Sequence, residues 1–149
     1  MTFTRRRPED PPETATEVTL ERVAAALASR GYTTRTHGDR VTGRWDGYHF
    51  AFTLEGESLV VEGSWGPELD EIHLPGMVMA TNDWNRDHLW PVCFTRRTPE
   101  GRATIGTRFV VPLAGGLSNE QLVANLDMAL RSGVGFFSAL GTPPGEEES

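Results

Sequence analysis

The densest run of chemically capable side chains in the chain is Asn82-Asp83-Trp84-Asn85-Arg86-Asp87-His88-Leu89-Trp90-Pro91. Asp83 and Asp87 are four residues apart, so on a helix they share a face, and His88 adds a third group able to act as acid, base or metal ligand. A metal centre needs further His, Cys or carboxylate ligands, and no second cluster stands nearby in sequence to supply them. Arg86 lies three residues from Asp83, and a surface ion pair accounts for these charges without any reaction. The remaining reactive types lead to the same reading. Cys93 sits in an apolar stretch with no triad-like spacing around it, which describes an inert, half-buried thiol. His37, His49 and His73 are scattered with no paired spacing. Gly115-Gly116 lacks the glycine spacing of a dinucleotide or phosphate loop, so it reads as a turn. No catalytic residue, metal ligand or cofactor site is assigned.

The same segment is a better candidate for binding. Asparagine is mediocre inside a helix because its amide competes for backbone hydrogen bonds. Asn82 and Asn85, three apart near a helix end, therefore read as amides that clamp neighbouring loop or strand backbone; the functional alternative is recognition of a partner's backbone. Trp45, Trp65, Trp84 and Trp90 add to this, since tryptophan is rarely buried completely and is enriched at interface hot spots. In a domain of this size several of them should pack a sheet against a helix, and at least one should line a groove. These six residues form the candidate partner-binding set.

Composition narrows the setting. A chain of 149 residues fits one domain with a substantial core, and 38% apolar with 23% charged residues is ordinary for a globular protein. The formal charge of −7 argues against generic nucleic-acid binding, which needs clustered cations. Arg5-Arg6-Arg7 lies in a Pro- and Glu-rich leader, and Glu146-Glu147-Glu148 closes the chain; both read as disordered, solvated ends, residues 1–15 and 142–149. No apolar run is long enough for a membrane helix, and the N-terminus lacks the apolar stretch of a secretory signal. The single cysteine cannot form an internal disulfide, which agrees with a cytoplasmic location.

The elements that hold these residues follow from periodicity. Leu20, Val23, Ala24, Leu27 and Ala28 mark a helix over about 18–30, capped by Thr19 and ended by Gly31. Short strands are expected at Tyr32 to Thr36 and Val41 to Trp45. The Asp46-Gly47 pair predicts a tight type I′ hairpin. Tyr48, Phe50, Phe52 and Leu54 then line one face of a strand, as do Leu59, Val61, Gly63 and Trp65 in the next. A second helix takes Pro75 in its first turn and groups Met77, Thr81, Trp84 and His88 on one face. Pro91 ends it and launches a hairpin, Val92 to Thr98 and Ala103 to Pro112, with Val92, Phe94, Ile105 and Phe109 expected to point inward. Ser118 and Gln121 form a capping box for a last helix whose buried stripe is Leu122, Leu126, Ala129, Leu130 and Phe137. Gly133 and Gly135 weaken that helix, so this half requires tertiary support or close packing. The order helix, antiparallel meander, helix, hairpin, helix predicts a single α+β domain over residues 16–141.

Four stretches in this order resemble the YbjN-domain family of bacterial proteins, in its actinobacterial form. They are Val23 to Leu27 with Gly31-Tyr32; Gly43 to Gly47 leading into Phe50-Ala51-Phe52; Asn82 to Pro91, the most specific; and Gly115 to Leu122, ending at Phe136-Phe137. The resemblance implies a fold similar to type III secretion chaperones, frequent pairing into homodimers, and the family's provisional label of sensory transduction regulator. It names no ligand and no reaction. The strand after Pro91 departs from the family pattern, with Val92, Cys93 and Phe94 where a lysine and a tyrosine are usual, and Ile105 to Val111 lacks the usual acidic residues. Those changes weigh against a polar binding role for that hairpin. The expectation is a non-catalytic protein-binding module, chaperone-like or regulatory, acting as a homodimer on an unidentified protein or peptide; a small-ligand sensor is the alternative, and an enzyme of unknown type ranks third.

Overall fold

The computed structural model describes residues 14–141, and the expectations about the leader up to 13 and the tail from 142 lie outside the described residues. Along the chain run α1 (Leu20–Ser29), β1 (Arg35–His37), β2 (Arg40–Trp45), β3 (Tyr48–Glu55), β4 (Ser58–Ser64), a 3-10 turn (Glu71–His73), α2 (Leu74–Asp87), β5 (Val92–Arg97), β6 (Ala103–Pro112) and α3 (Asn119–Leu140). The architecture is the expected α+β, with strands in the order β1-β2-β3-β4-β6-β5, each antiparallel to its neighbour.

Local chemistry sets the element ends. The Thr19 hydroxyl accepts from the Arg22 N–H at 3.2 Å and starts α1. Asp46 and Gly47 both have positive φ, 52° and 85°, which is what a type I′ turn demands of its two central residues. At α3 both bonds of the capping box are present, Gln121 N–H to Ser118 Oγ (3.1 Å) and Ser118 N–H to Gln121 Oε1 (2.8 Å).

All three helices pack on one face of the sheet, and the register shows which side chains meet them. Val41 lies opposite Phe52, Phe52 opposite Val61, and Val61 opposite Phe109. These residues are buried, as are Val23 and Leu27 of α1, Met77 of α2 and the expected α3 stripe of Leu122, Leu126, Ala129, Leu130 and Phe137. Each large apolar side chain so buried contributes roughly 1.5–3 kcal/mol. α3 comes close to the sheet because two glycines make room for Phe50. A Cβ on Gly63 of β4 would stand 2.6 Å from the Phe50 ring, and one on Gly133 of α3 would stand 2.7 Å from it. The close packing expected of the glycine pair in α3 is thus met by Gly133 alone; Gly135 is exposed, with nothing within 4 Å of its missing Cβ.

The structure corrects two local expectations. The first strand lies at Arg35–His37 instead of Tyr32 to Thr36, so His37 belongs to a strand and Tyr32 is free to pack edge-on against Trp45. On β5 the inward residues are Cys93 and Thr95, whereas Val92 and Phe94 face the open side. Pairing with β6 sets this phase, because Cys93 lies opposite Thr107, Val92 opposite Arg108 and Phe94 opposite Gly106. A shift of one residue turns a whole strand over. Phe94 is accommodated on the open side by Gly106, where a Cβ would lie 2.6 Å from its ring.

Candidate functional site

The segment singled out by its side chains forms the last turns of α2 and the entry to β5. α2 ends at Asp87, His88 adopts an extended backbone as its C-cap, and the Trp90–Pro91 peptide is cis. β5, the strand it enters, is the sheet's edge. An edge strand leaves main-chain donors and acceptors without a neighbouring strand. Asn85 supplies the missing partner at one point: its Nδ2 donates to the Cys93 carbonyl at 2.7 Å and its Oδ1 accepts from the Cys93 N–H at 2.8 Å. One side-chain amide thereby imitates the paired N–H and C=O of an adjacent strand. Asn82 does not share this role; its side chain is exposed and makes no hydrogen bond to another described residue. A second link between α2 and β5 joins the Thr81 and Thr95 hydroxyls at 3.3 Å, with Thr81 also donating to the Val78 carbonyl at 3.0 Å.

The charged residues behave as a surface cluster. Arg86 pairs with Asp83 and with Asp87, each at 3.2 Å, and these contacts, the Asp87 hydrogen bond foremost, raise its pKa further. His88 stacks on Trp84, with ring centroids 3.7 Å apart and planes 9° from parallel, and its Nδ1 lies 3.2 Å from the Trp84 carbonyl. Cys93 is buried at 3% exposure, and burial pushes its thiol pKa up to about 12, leaving it protonated at neutral pH. Among the described residues no group of three or more His, Cys, Asp or Glu is placed to hold a metal ion.

The tryptophans occupy different parts of the molecule. Trp65, only 8% exposed, belongs to the core. Trp84 and Trp45 are partly buried and lie at opposite ends of one aromatic chain. Trp84 meets Phe136 (5.1 Å), Phe136 meets Phe137 (5.7 Å), Phe137 meets Phe50 (6.0 Å), and Phe50 meets Trp45 (5.8 Å). Trp90 packs instead on Phe109 at 4.8 Å. Trp45 also lines an open cleft of about 250 Å³ with Arg30, Tyr32, Asp127, Leu130 and Val134. Asn85, Trp84 and Trp90 therefore share the α2 exit, whereas Trp45 and Trp65 stand apart from it.

Two arrangements here were not anticipated. Arg22 of α1 donates to the carbonyls of Thr16, Glu17 and Leu117 and to Asn119 Oδ1, each at 2.8 Å. No local pattern marks an arginine whose acceptors lie 95 and 97 residues away. The other is a concentration of exposed apolar side chains. Of the seven large hydrophobics exposed among the described residues, Ile72, Val78, Met79, Leu89 and Val92 all fall between positions 72 and 92. Which apolar side chains of this stretch the sheet covers is decided by tertiary packing, and no local pattern shows it.

The six-stranded antiparallel sheet with helices on one face defines an α+β domain, and its relatives follow from comparison. YbjN from E. coli, whose crystal structure is titled "a putative transcription regulator", superposes with a TM-score of 0.72 over 85% of this chain and 95% of that one, at 11% identity. That likeness is one of fold. A search of curated proteins finds no match. The sequence model of the YbjN family, described as "Putative bacterial sensory transduction regulator", matches residues 19–142. The chain belongs to the YbjN family. No helix among the described residues is long and apolar enough to cross a membrane.

Proposed function

We propose that this chain is a non-catalytic protein-binding module, a cytoplasmic regulatory adaptor acting as a homodimer, and that it meets protein along the outside of α2 and the entry to β5. One observation carries the reading. Exposed apolar residues are normal when scattered but signal contact when concentrated, and here four of the seven, Ile72, Val78, Met79 and Leu89, lie on α2 and the turns that flank it, with Ile72 at 83% and Leu89 at 82% exposure. The exposed Asn82 amide and the partly exposed rims of Trp84 and Trp90 flank them and supply polar and aromatic anchors. Family membership supports a regulatory role without specifying the partner.

Light scattering on the full chain at tens of micromolar should give the mass of a dimer, and the double variant Met79→Glu, Leu89→Glu should shift it toward monomer while keeping its thermal transition. Affinity capture with both forms tests the partner: a protein retained by the wild type and released by the variant supports the reading. A monomeric wild type would remove the homodimer. A small molecule that survives purification, with no protein captured, would replace the adaptor by a ligand sensor.

A further inference from the structure

The sheet face opposite the helices carries a feature that neither the family nor the α2 surface accounts for. Five described arginines hold carboxylates: Arg30, Arg86, Arg97, Arg102 and Arg108. Arg35, Arg40 and Arg44 hold none among the described residues, although acidic residues outnumber basic ones 21 to 14 in the whole chain. The strand register places these three together on the open face. Arg35 of β1 lies opposite Thr42, which is two residues from Arg40 and two from Arg44 along β2. Arg40 and Arg44 are thus roughly 13 Å apart at about 3.3 Å per residue, with Arg35 diagonal to both at about 7–8 Å. His37 lies opposite Arg40 and His49 opposite Arg44, so five basic side chains ring a floor of Thr42 and Ala51. All three arginines are exposed. Asp39 and Asp46 sit in the flanking turns and pair with none of them. The field is felt locally: burial first, then the charges of Arg44 and Arg40, hold the His49 imidazole below its ordinary pKa.

Like charges gathered on neighbouring strands repel one another; no described carboxylate pairs with these three, and Arg44 alone has a polar partner, its guanidinium donating to the Gly47 carbonyl at 3.0 Å. We propose that the open face of β1, β2 and β3 binds an extended acidic peptide segment of a partner protein, whose carboxylates are held by Arg35, Arg40 and Arg44. An extended chain turns alternate side chains to one side about 6.6–7 Å apart, so carboxylates at every second residue match the spacing of the cluster. Each guanidinium can take a carboxylate in a bidentate pair. Nucleic acid fits less well. Glu62 lies opposite Ala51 at the border of the cluster and Glu55 two residues past Thr53, both paired to Arg108, so the basic surface is too short for the continuous phosphates of a duplex yet spans the few carboxylates of a peptide.

The test uses the full chain and a fluorescein-labelled decapeptide that alternates glutamate and serine, with a glutamine-serine decapeptide and a DNA duplex as comparisons. Fluorescence anisotropy at low salt should show binding of the glutamate peptide alone. Binding should weaken at least tenfold in the triple variant Arg35→Gln, Arg40→Gln, Arg44→Gln and stay unchanged in Arg131→Gln, which lies on the helical layer. On the unmodified chain, NMR should place the largest peptide-induced shifts at Thr42 and Ala51 and show the His49 pKa rising as carboxylates arrive. No binding, equal losses in both variants, shifts mapped to α2, or tighter binding of the duplex than of the peptide would each overturn the proposal. Because the α2 variant above leaves this face intact, failure of either surface is read separately.

Discussion

At the scale of single residues, Asn85 and Cys93 show how little of a side chain's role lies in its own chemistry. Asn85 acts through geometry: its amide spans from α2 to the free edge of β5 and satisfies both main-chain groups of one residue. Replacing it with alanine leaves a donor and an acceptor unpaired beside a buried thiol, which costs about 1–3 kcal/mol. Asn85→Ala should lower the urea midpoint accordingly, and Asn85→Asp should rescue little, because a carboxylate cannot donate to the Cys93 carbonyl. Cys93 illustrates the reverse, a reactive type made inert by position. Its folded pKa stands near 12 against an ordinary 9.0. The unfolded thiol therefore releases its proton first as pH rises, and the contribution of this group to stability is complete below about 9 and lost between there and 12. A thiol reagent at pH 8 should label Cys93 at the rate of global unfolding, and Cys93→Ala should flatten the alkaline loss of stability. Both assignments were partly legible. The clamp was foreseen for Asn82 and Asn85 together, but only the position whose side chain points along the α2–β5 seam performs it.

Elements are where periodicity speaks most clearly and where its ambiguity shows. α3 runs unbroken from Asn119 to Leu140 through two glycines that look alike in sequence. Gly133 lies under Phe50, so a methyl group there must displace a packed ring; Gly135 faces solvent. Gly133→Ala should destabilise by about 1–3 kcal/mol through overpacking. Gly135→Ala should stabilise by about 0.5–1 kcal/mol, because the helical conformation suits alanine better than glycine. Thermal or urea unfolding of the two variants would show opposite signs, and like signs would mean that α3 does not approach the sheet as described. Turn chemistry was legible for the same local reason: the positive φ at Asp46 and Gly47 is a property of those residues. The β5 phase was not. A strand of mixed apolar residues with Val92, Cys93 and Phe94 in sequence allows either face to turn inward, and only pairing with β6 chooses between them.

For the molecule as a whole, closure depends on contacts between distant parts. Thr16 and Leu117 exchange backbone hydrogen bonds at 3.1 and 3.0 Å, and Arg22 fastens that junction by donating to both carbonyls. Arg30 adds an ion pair to Asp127 at 3.1 Å, tying the end of α1 to α3. Arg22→Gln should cost about 1–2 kcal/mol, since these are charge-assisted bonds to partly exposed acceptors. Hydrogen exchange should reveal the loss first at the Thr16 and Leu117 amides, with the sheet interior little changed. Uniform loss of protection would mean instead that the junction opens only with the whole domain.

Helix periodicity, strand alternation, caps and tight turns are each written within a few neighbouring residues, so the elements, their order and the family of the domain can be read along the chain. The segment from Asn82 to Pro91 carried the family and marked a helix end for the same reason. Tertiary structure alone decided what those elements present to one another and to solvent. It set β6 beside β4, placed β5 at the edge where Asn85 could cover it, turned Val92 outward and Cys93 inward, and gathered Arg35, Arg40 and Arg44 on one face. Those outcomes depend on strand order and register, and both are fixed by pairing across the sheet, which no stretch of neighbouring residues contains; alternation along β2 puts Arg40 and Arg44 on one face, but only pairing with β1 brings Arg35 to them.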